Sequence, residues 1–159
     1  VFKLEFYTEK EIGEIIRRSA KILDMKIHED AIKSLAERSR FTPRTANYFL
    51  KRCRDYAQIH KTELSKDIVD KALSMLGVDN LGLNNADRDI LKTMINKFGG
   101  RPVGLNTIAA ALSEEQETIE EVYEPYLIQL GLIERTSRGR VATEKAFDHL
   151  GIKYSGKLL

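Results

Sequence analysis

Gly131-Leu-Ile-Glu-Arg-Thr-Ser-Arg-Gly-Arg-Val-Ala-Thr143 is where the periodicity of the chain changes. Apolar and polar residues alternate on either side of Thr136-Ser137-Arg138-Gly139, the pattern of a short hairpin with Gly at the turn. Upstream the period is helical. Ile119, Val122, Tyr123, Tyr126, Leu127 and Leu130 line one face of a helix that Ser113 is expected to cap. Pro125 falls inside that helix, and a residue without an N–H should bend it or loosen one turn. Before it come a helix carrying Ile90, Leu91, Met94, Ile95 and Phe98, capped by Asn84 or Asn85, and a short one carrying Leu105, Ile108, Ala109 and Leu112. The Gly99-Gly100-Arg101-Pro102 break separates these two. Three helices followed by a two-stranded hairpin is the order of a winged helix-turn-helix.

The first half reads as four helices around one core. Thr8 caps a segment from Glu9 to about Leu23, with Glu11 as its capping-box partner. A second helix runs from about Glu29 to Arg38 and buries Ala31, Ile32, Leu35 and Ala36. Thr42 is the N-cap of the third and Pro43 its first residue, where a missing N–H costs nothing; Ala46, Phe49, Leu50, Cys53 and Ala57 follow at helical spacing. A fourth starts at Ser65, carries Ile68, Val69, Ala72 and Leu73, and stops at Gly77. The Gly77-Val-Asp-Asn-Leu-Gly82 stretch marks the boundary, giving domains 1–78 and 79–159. The expected fold is mainly α, a four-helix bundle and then a winged helix with a short β-hairpin.

Composition excludes several functions. With 26 basic and 24 acidic residues in 159, the net charge of +2 creates no global field for nucleic acid or membrane. The charge is uneven, however: residues 1–77 carry 16 basic and 12 acidic side chains, and residues 78–159 carry 10 and 12. No apolar run could span a bilayer. A single cysteine rules out an internal disulfide and a Cys-rich zinc site. No secretory leader is read at Val1, so a cytoplasmic protein is expected, and a start at Val rather than Met points to a piece of something longer. The G-x-x-x-x-G-K-[ST] phosphate loop and H-E-x-x-H are both absent from the sequence. His28, His60 and His149 lie far apart and read as surface or boundary residues, and Cys53 reads as a packed thiol. No metal site and no complete active site are expected in these residues.

Two basic features remain. Arg135, Arg138 and Arg140 cluster around the hairpin turn, where guanidinium forks suit a phosphate backbone and Gly lets the chain approach closely. Roughly three such contacts would give a slope near −3 for log affinity against log salt. The helix before the hairpin carries Glu114, Glu115, Glu117, Glu120, Glu121 and Glu124. A major-groove reading helix needs cations and donors, so any DNA contact should be led by the wing and made to the backbone; the acidic face is otherwise a solvated surface or a dock for a basic partner. The second feature is Arg44, in the first turn of a helix where the dipole disfavours a cation. Such a residue can be an Arg supplied to a nucleotide's phosphates by a neighbouring domain, or an ordinary exposed Arg.

The runs Arg38-Ser-Arg-x-Thr-Pro-Arg-x-Ala-Asn47, Arg52-x-Arg-Asp-Tyr-Ala57, Pro102-Val-Gly-Leu105, Thr118-Ile-Glu120, Glu124-Pro-Tyr-Leu-Ile-Gln129 and Arg135-Thr-x-Arg-Gly-Arg140 resemble the RuvB family of bacterial Holliday-junction branch-migration motors. The resemblance runs along essentially the whole chain. It implies the helical lid of an AAA+ ATPase followed by the winged-helix domain, with the ATPase domain preceding Val1. It makes Arg44 the second-sensor arginine, places Tyr7 beside bound nucleotide, and assigns Arg135, Arg138 and Arg140 to DNA. It further implies ATP and magnesium as cofactors of the full-length protein, neither held tightly by these residues alone. The implied partners are duplex and Holliday-junction DNA, RuvA, a complex with RuvC, and a homo-hexameric helicase ring serving recombination, repair and the SOS response. Phe41 stands where the family usually has Gly, so the loop before Arg44 is expected to take another shape; Arg101 replaces a usual Gly and adds a charge near the second helix of the winged helix, and Gln116 stands where relatives often carry Arg, which removes a possible phosphate contact. A free-standing winged-helix regulator and a protein-docking adaptor are the alternatives; the first needs operator binding, against which the Glu-rich helix argues.

Overall fold

Helix-start chemistry organises the first unit. The computed structural model describes residues 6–154 and divides into two compact units, Val1–Asn84 and Asn85–Leu159. In the first, α1 (Glu9–Ile22) begins at a complete capping box: the Thr8 hydroxyl accepts from the Glu11 N–H, and the Thr8 N–H donates to the Glu11 carboxylate at 2.8 Å. Helix α2 (Glu29–Arg38) follows, then α3 (Pro43–His60), with Thr42 as N-cap and Pro43 in the first turn, and α4 (Lys66–Met75). Ile12, Ile16, Leu35, Leu50, Leu64 and Leu73 are fully buried between them. A parallel bridge between Ile27 and Leu64 ties the α1–α2 loop to the α3–α4 loop. Burial pushes the Cys53 thiol up to about 12, so it stays protonated and packs as an apolar group.

The second unit opens with α5 (Asn85–Lys92), which widens into a π turn at Thr93–Lys97. Helix α6 (Leu105–Leu112) comes next. Ser113 ends it, in the left-handed region at φ 55, and does not cap the following helix as the sequence had suggested; Glu115 takes the N-cap position there. The following rod is α7 (Gln116–Thr118), a π turn (Ile119–Tyr123) and α8 (Glu124–Gln129). The π turn lies where Pro125 was expected to loosen the helix. Pro125 has no N–H to return to the preceding turn, and the Glu124 N–H reaches back to Ile119 O. Strands β1 (Ile133–Thr136) and β2 (Gly139–Ala142) pair antiparallel around Ser137-Arg138, with Arg135 opposite Arg140 and Thr136 opposite Gly139. Two features were not anticipated from the sequence: α9 (Glu144–Leu150), which buries Ala146 and Phe147, and a bridge from Val103 to Arg140 that adds a third strand position to the hairpin.

Candidate nucleotide and DNA interfaces

Arg44 stands exposed in the first turn of α3, at the end of a stiffened loop. The Ser39 hydroxyl donates to Ala36 O at 2.8 Å, and the Thr42 N–H donates to Ser39 O at 3.2 Å. Arg40 and Phe41 both adopt left-handed backbone, at φ 56 and 55. Phe41 thus holds the conformation glycine takes without penalty. At a residue with a Cβ that conformation costs about 1–2 kcal/mol of backbone strain. The start of the loop is anchored by Arg38, which is buried and donates through Nη2 to the Asp70 carboxylate on α4; its Nε lies buried without a partner among the described residues. That anchor was not singled out in the sequence, where Arg38 was only one of a run of arginines. The Arg44 guanidinium makes no ion pair among the described residues. Tyr7 is exposed immediately before the Thr8 cap, and no hydrogen bond or ring contact joins it to Arg44. A cation left open on a rigid, capped helix start can take an anion without first breaking an internal pair.

The three wing arginines are not equivalent. Arg138 is at the two-residue tip, exposed, with no ion pair among the described residues. Arg135 and Arg140 both turn toward the rod. Arg135 donates Nε and Nη2 to the two oxygens of Glu124, each at 2.8 Å, and Arg140 donates the same pair at 3.0 and 3.2 Å. Both Nη2 atoms also donate to Glu120 Oε1, at 3.2 and 3.3 Å. Glu124 is only 1% exposed. Desolvation, the largest single influence, pushes its carboxyl upward, but the hydrogen bonds and charges of Arg135 and Arg140 together outweigh it and hold it below the ordinary carboxylate range. Glu124 therefore holds two of the three expected phosphate contacts. At helical spacing Glu124 does not fall among the apolar positions Ile119, Val122, Tyr123, Tyr126, Leu127 and Leu130, so nothing in the sequence sets it apart from the neighbouring glutamates.

Elsewhere, His28 pairs with Glu63 at 3.1 Å on the surface. Among the described residues no group of three or more His, Cys, Asp or Glu side chains could hold a metal ion, and no helix is long and apolar enough to cross a membrane.

A bundle of four helices with an open arginine at the head of its third, followed by a winged helix, defines the class: an AAA+ lid joined to a winged-helix module. The chain belongs to the RuvB family, its residues 7–79 matching the RuvB AAA lid domain and residues 80–151 the RuvB C-terminal winged helix domain. It is 55% identical over 155 residues to the Holliday junction branch migration complex subunit RuvB of Dehalococcoides mccartyi (strain CBDB1), covering 97% of this chain and 44% of that protein. The Thermotoga maritima RuvB Holliday junction branch migration motor superimposes with a TM-score of 0.91 at 48% identity, over 94% of this chain and 51% of that one. A point mutant of the T. maritima protein gives 0.92 at 48% identity, over 95% and 51%. The chain spans about half the length of the relatives it matches.

Proposed function

We propose that this chain is the nucleotide-sensing lid and DNA grip of an ATP-driven motor that migrates Holliday junctions in recombination and repair. The observation that carries the reading is the match to both RuvB domain types, in order and without a break, from residue 7 to residue 151. Arg44 is the sensor. ATP, when bound by the whole protein with its magnesium, supplies a γ-phosphate whose presence or loss changes what Arg44 can hold. An open guanidinium on a capped helix start supports that role, because a change in its partner is transmitted to the rigid bundle behind it. Tyr7 lies beside the nucleotide. Arg138, open at the tip, and Arg135 make the wing's contact to the DNA backbone, and Arg140, the third arginine of the wing, supports them from the Glu124 carboxylate. The whole protein works in the cytoplasm as a homo-hexameric helicase ring on duplex DNA, with RuvA and RuvC at the junction, and serves the SOS response. A free-standing regulator is disfavoured, since residues 7–79 form a lid rather than a dimerisation domain.

A chimaera tests this reading. The aligned C-terminal part of D. mccartyi RuvB is replaced by this chain, and ATP-dependent migration of a synthetic four-way junction is followed in the presence of RuvA. Migration is expected with the unmodified chain and is expected to be lost with Arg44→Ala. A chimaera that assembles and hydrolyses ATP but leaves the junction unmoved overturns the proposal.

A further inference from the structure

Arg135 and Arg140 are direct cross-strand partners, and like charges so placed repel. Glu120 and Glu124, four residues apart on the rod, repel for the same reason. Together the four side chains are neutral and mutually paired. Exposure divides them into two halves. The inner half, Glu124 and Arg140, has side chains 1% and 18% exposed; the outer half, Glu120 and Arg135, 45% and 51%. Breaking the inner pair would strand a buried charge, so it is fixed. The outer pair is a half-solvated contact of the kind worth little.

The stereochemistry of Arg135 shows which bond can exchange. A guanidinium presents five N–H groups in two forks. The Nε–Nη2 fork is filled by Glu124, two bonds of 2.8 Å to its two oxygens. The other fork, Nη2 with Nη1, meets only Glu120 Oε1, through Nη2 at 3.2 Å. That second fork is the edge a phosphate would take in two parallel bonds.

We propose that Glu120 is an internal stand-in for a DNA phosphate on Arg135. In the free chain Glu120 occupies the outer fork. On DNA a backbone phosphate takes that fork, Glu120 turns to solvent, and Glu124 keeps Arg135 aimed. Glu124 is thus a positioning residue for the wing and Glu120 a competitor that weakens its grip. The inference rests on the reading of the wing as a DNA contact and adds what regulates it.

Fluorescence anisotropy of a labelled 20-base-pair duplex with the full 159-residue chain, across a salt series, tests it. Glu120→Gln is expected to tighten binding roughly two- to fivefold, the range set by the loss of its exposed ion pair with Arg135. Glu117→Gln removes the same charge from an exposed site on the same rod and is expected to give a smaller gain. In an Arg135→Ala background, Glu120→Gln is expected to give none beyond that of Glu117→Gln. A gain no larger than that of Glu117→Gln, or one that survives undiminished in Arg135→Ala, overturns the role of Glu120. Salt-dependent binding by the unmodified chain keeps the wing reading intact whichever way Glu120 falls; its absence overturns both.

Discussion

Val103 and Arg140 exchange backbone hydrogen bonds in both directions: the Val103 N–H donates to Arg140 O at 2.9 Å, and the Arg140 N–H to Val103 O at 2.8 Å. The hairpin is thereby tied to the segment that precedes α6, and the neighbouring residue must let two backbones meet. Gly139 does so at φ 130, where a Cβ would lie 2.4 Å from Val103 O. Gly139→Ala meets both a forbidden φ and a backbone clash. A destabilisation of about 3 kcal/mol is expected from strain of this kind with the lost bridge. Thermal unfolding of the winged-helix unit checks it, with a fall in Tm of more than about 10 °C.

Glu124 gives the largest effect of a single charge. Glu124→Ala leaves Arg135 and Arg140 facing each other with only Glu120 to offset them, and breaking a buried pair of this kind costs about 3–5 kcal/mol. The pH dependence has a definite sign. The Glu124 carboxyl lies below its unfolded value in the folded chain, so its stabilisation is fully present above the unfolded pKa and is lost as pH falls through the folded one. Urea unfolding followed from pH 6 toward pH 3 is expected to show that loss in the unmodified chain. Glu124→Gln is expected to be less stable at pH 6 and to show a flatter acid limb.

These two cases mark how far the sequence could be read. The lid helices were legible because their starts carry local chemistry, Thr8 with Glu11 and Thr42 with Pro43, that needs no partner elsewhere in the chain. The hairpin was legible from its alternation. Helix α9 was not, since only Ala146 and Phe147 of its seven residues are buried, too few to set a period. The Val103 strand position is a single bridge, defined by what lies opposite it rather than by its own residues. Of the site, the open cations Arg44 and Arg138 could be found by inspection. The capture of Arg135 and Arg140 could not, because a buried carboxylate inside a run of glutamates looks like its solvated neighbours until the register of the hairpin is known.

Lys61 offers a gain in stability. It ends α3 in the left-handed region at φ 51, and its side chain is exposed. Glycine is suited to that position, so Lys61→Gly relieves the strain and offsets the added freedom of the unfolded chain, for a net gain of about 0.5–1 kcal/mol. An increased urea midpoint at unchanged m-value is the expected result.

Arg44 is the opposite kind of position, where stability and use conflict. A cation in the first turn of α3 opposes the helix dipole, and no ion pair among the described residues compensates it. Arg44→Glu is therefore expected to raise the unfolding free energy by about 0.3–1 kcal/mol, while the chimaeric motor carrying it fails to couple ATP to movement. Both measurements are needed, since a loss of function together with a loss of stability would point to misfolding instead.

The salt dependence of DNA binding distinguishes the three wing arginines. Were all three to contact phosphate, log affinity would fall with log salt at a slope of about −2.7. Arg140 is held inward by Glu124 with its side chain 18% exposed, Arg135 has one fork to offer, and Arg138 is open at the tip. Two contacts are then expected, with a slope of about −1.8. Arg138→Ala and Arg135→Ala should each reduce it by about 0.9. Arg140→Ala should leave the slope nearly unchanged and act through stability, because it takes a cation from Glu124 rather than from DNA. A reduction from Arg140→Ala equal to that from Arg138→Ala in a variant that remains folded would mean that Arg140 leaves the carboxylate on binding, and that the inner half of the cluster exchanges as readily as the outer.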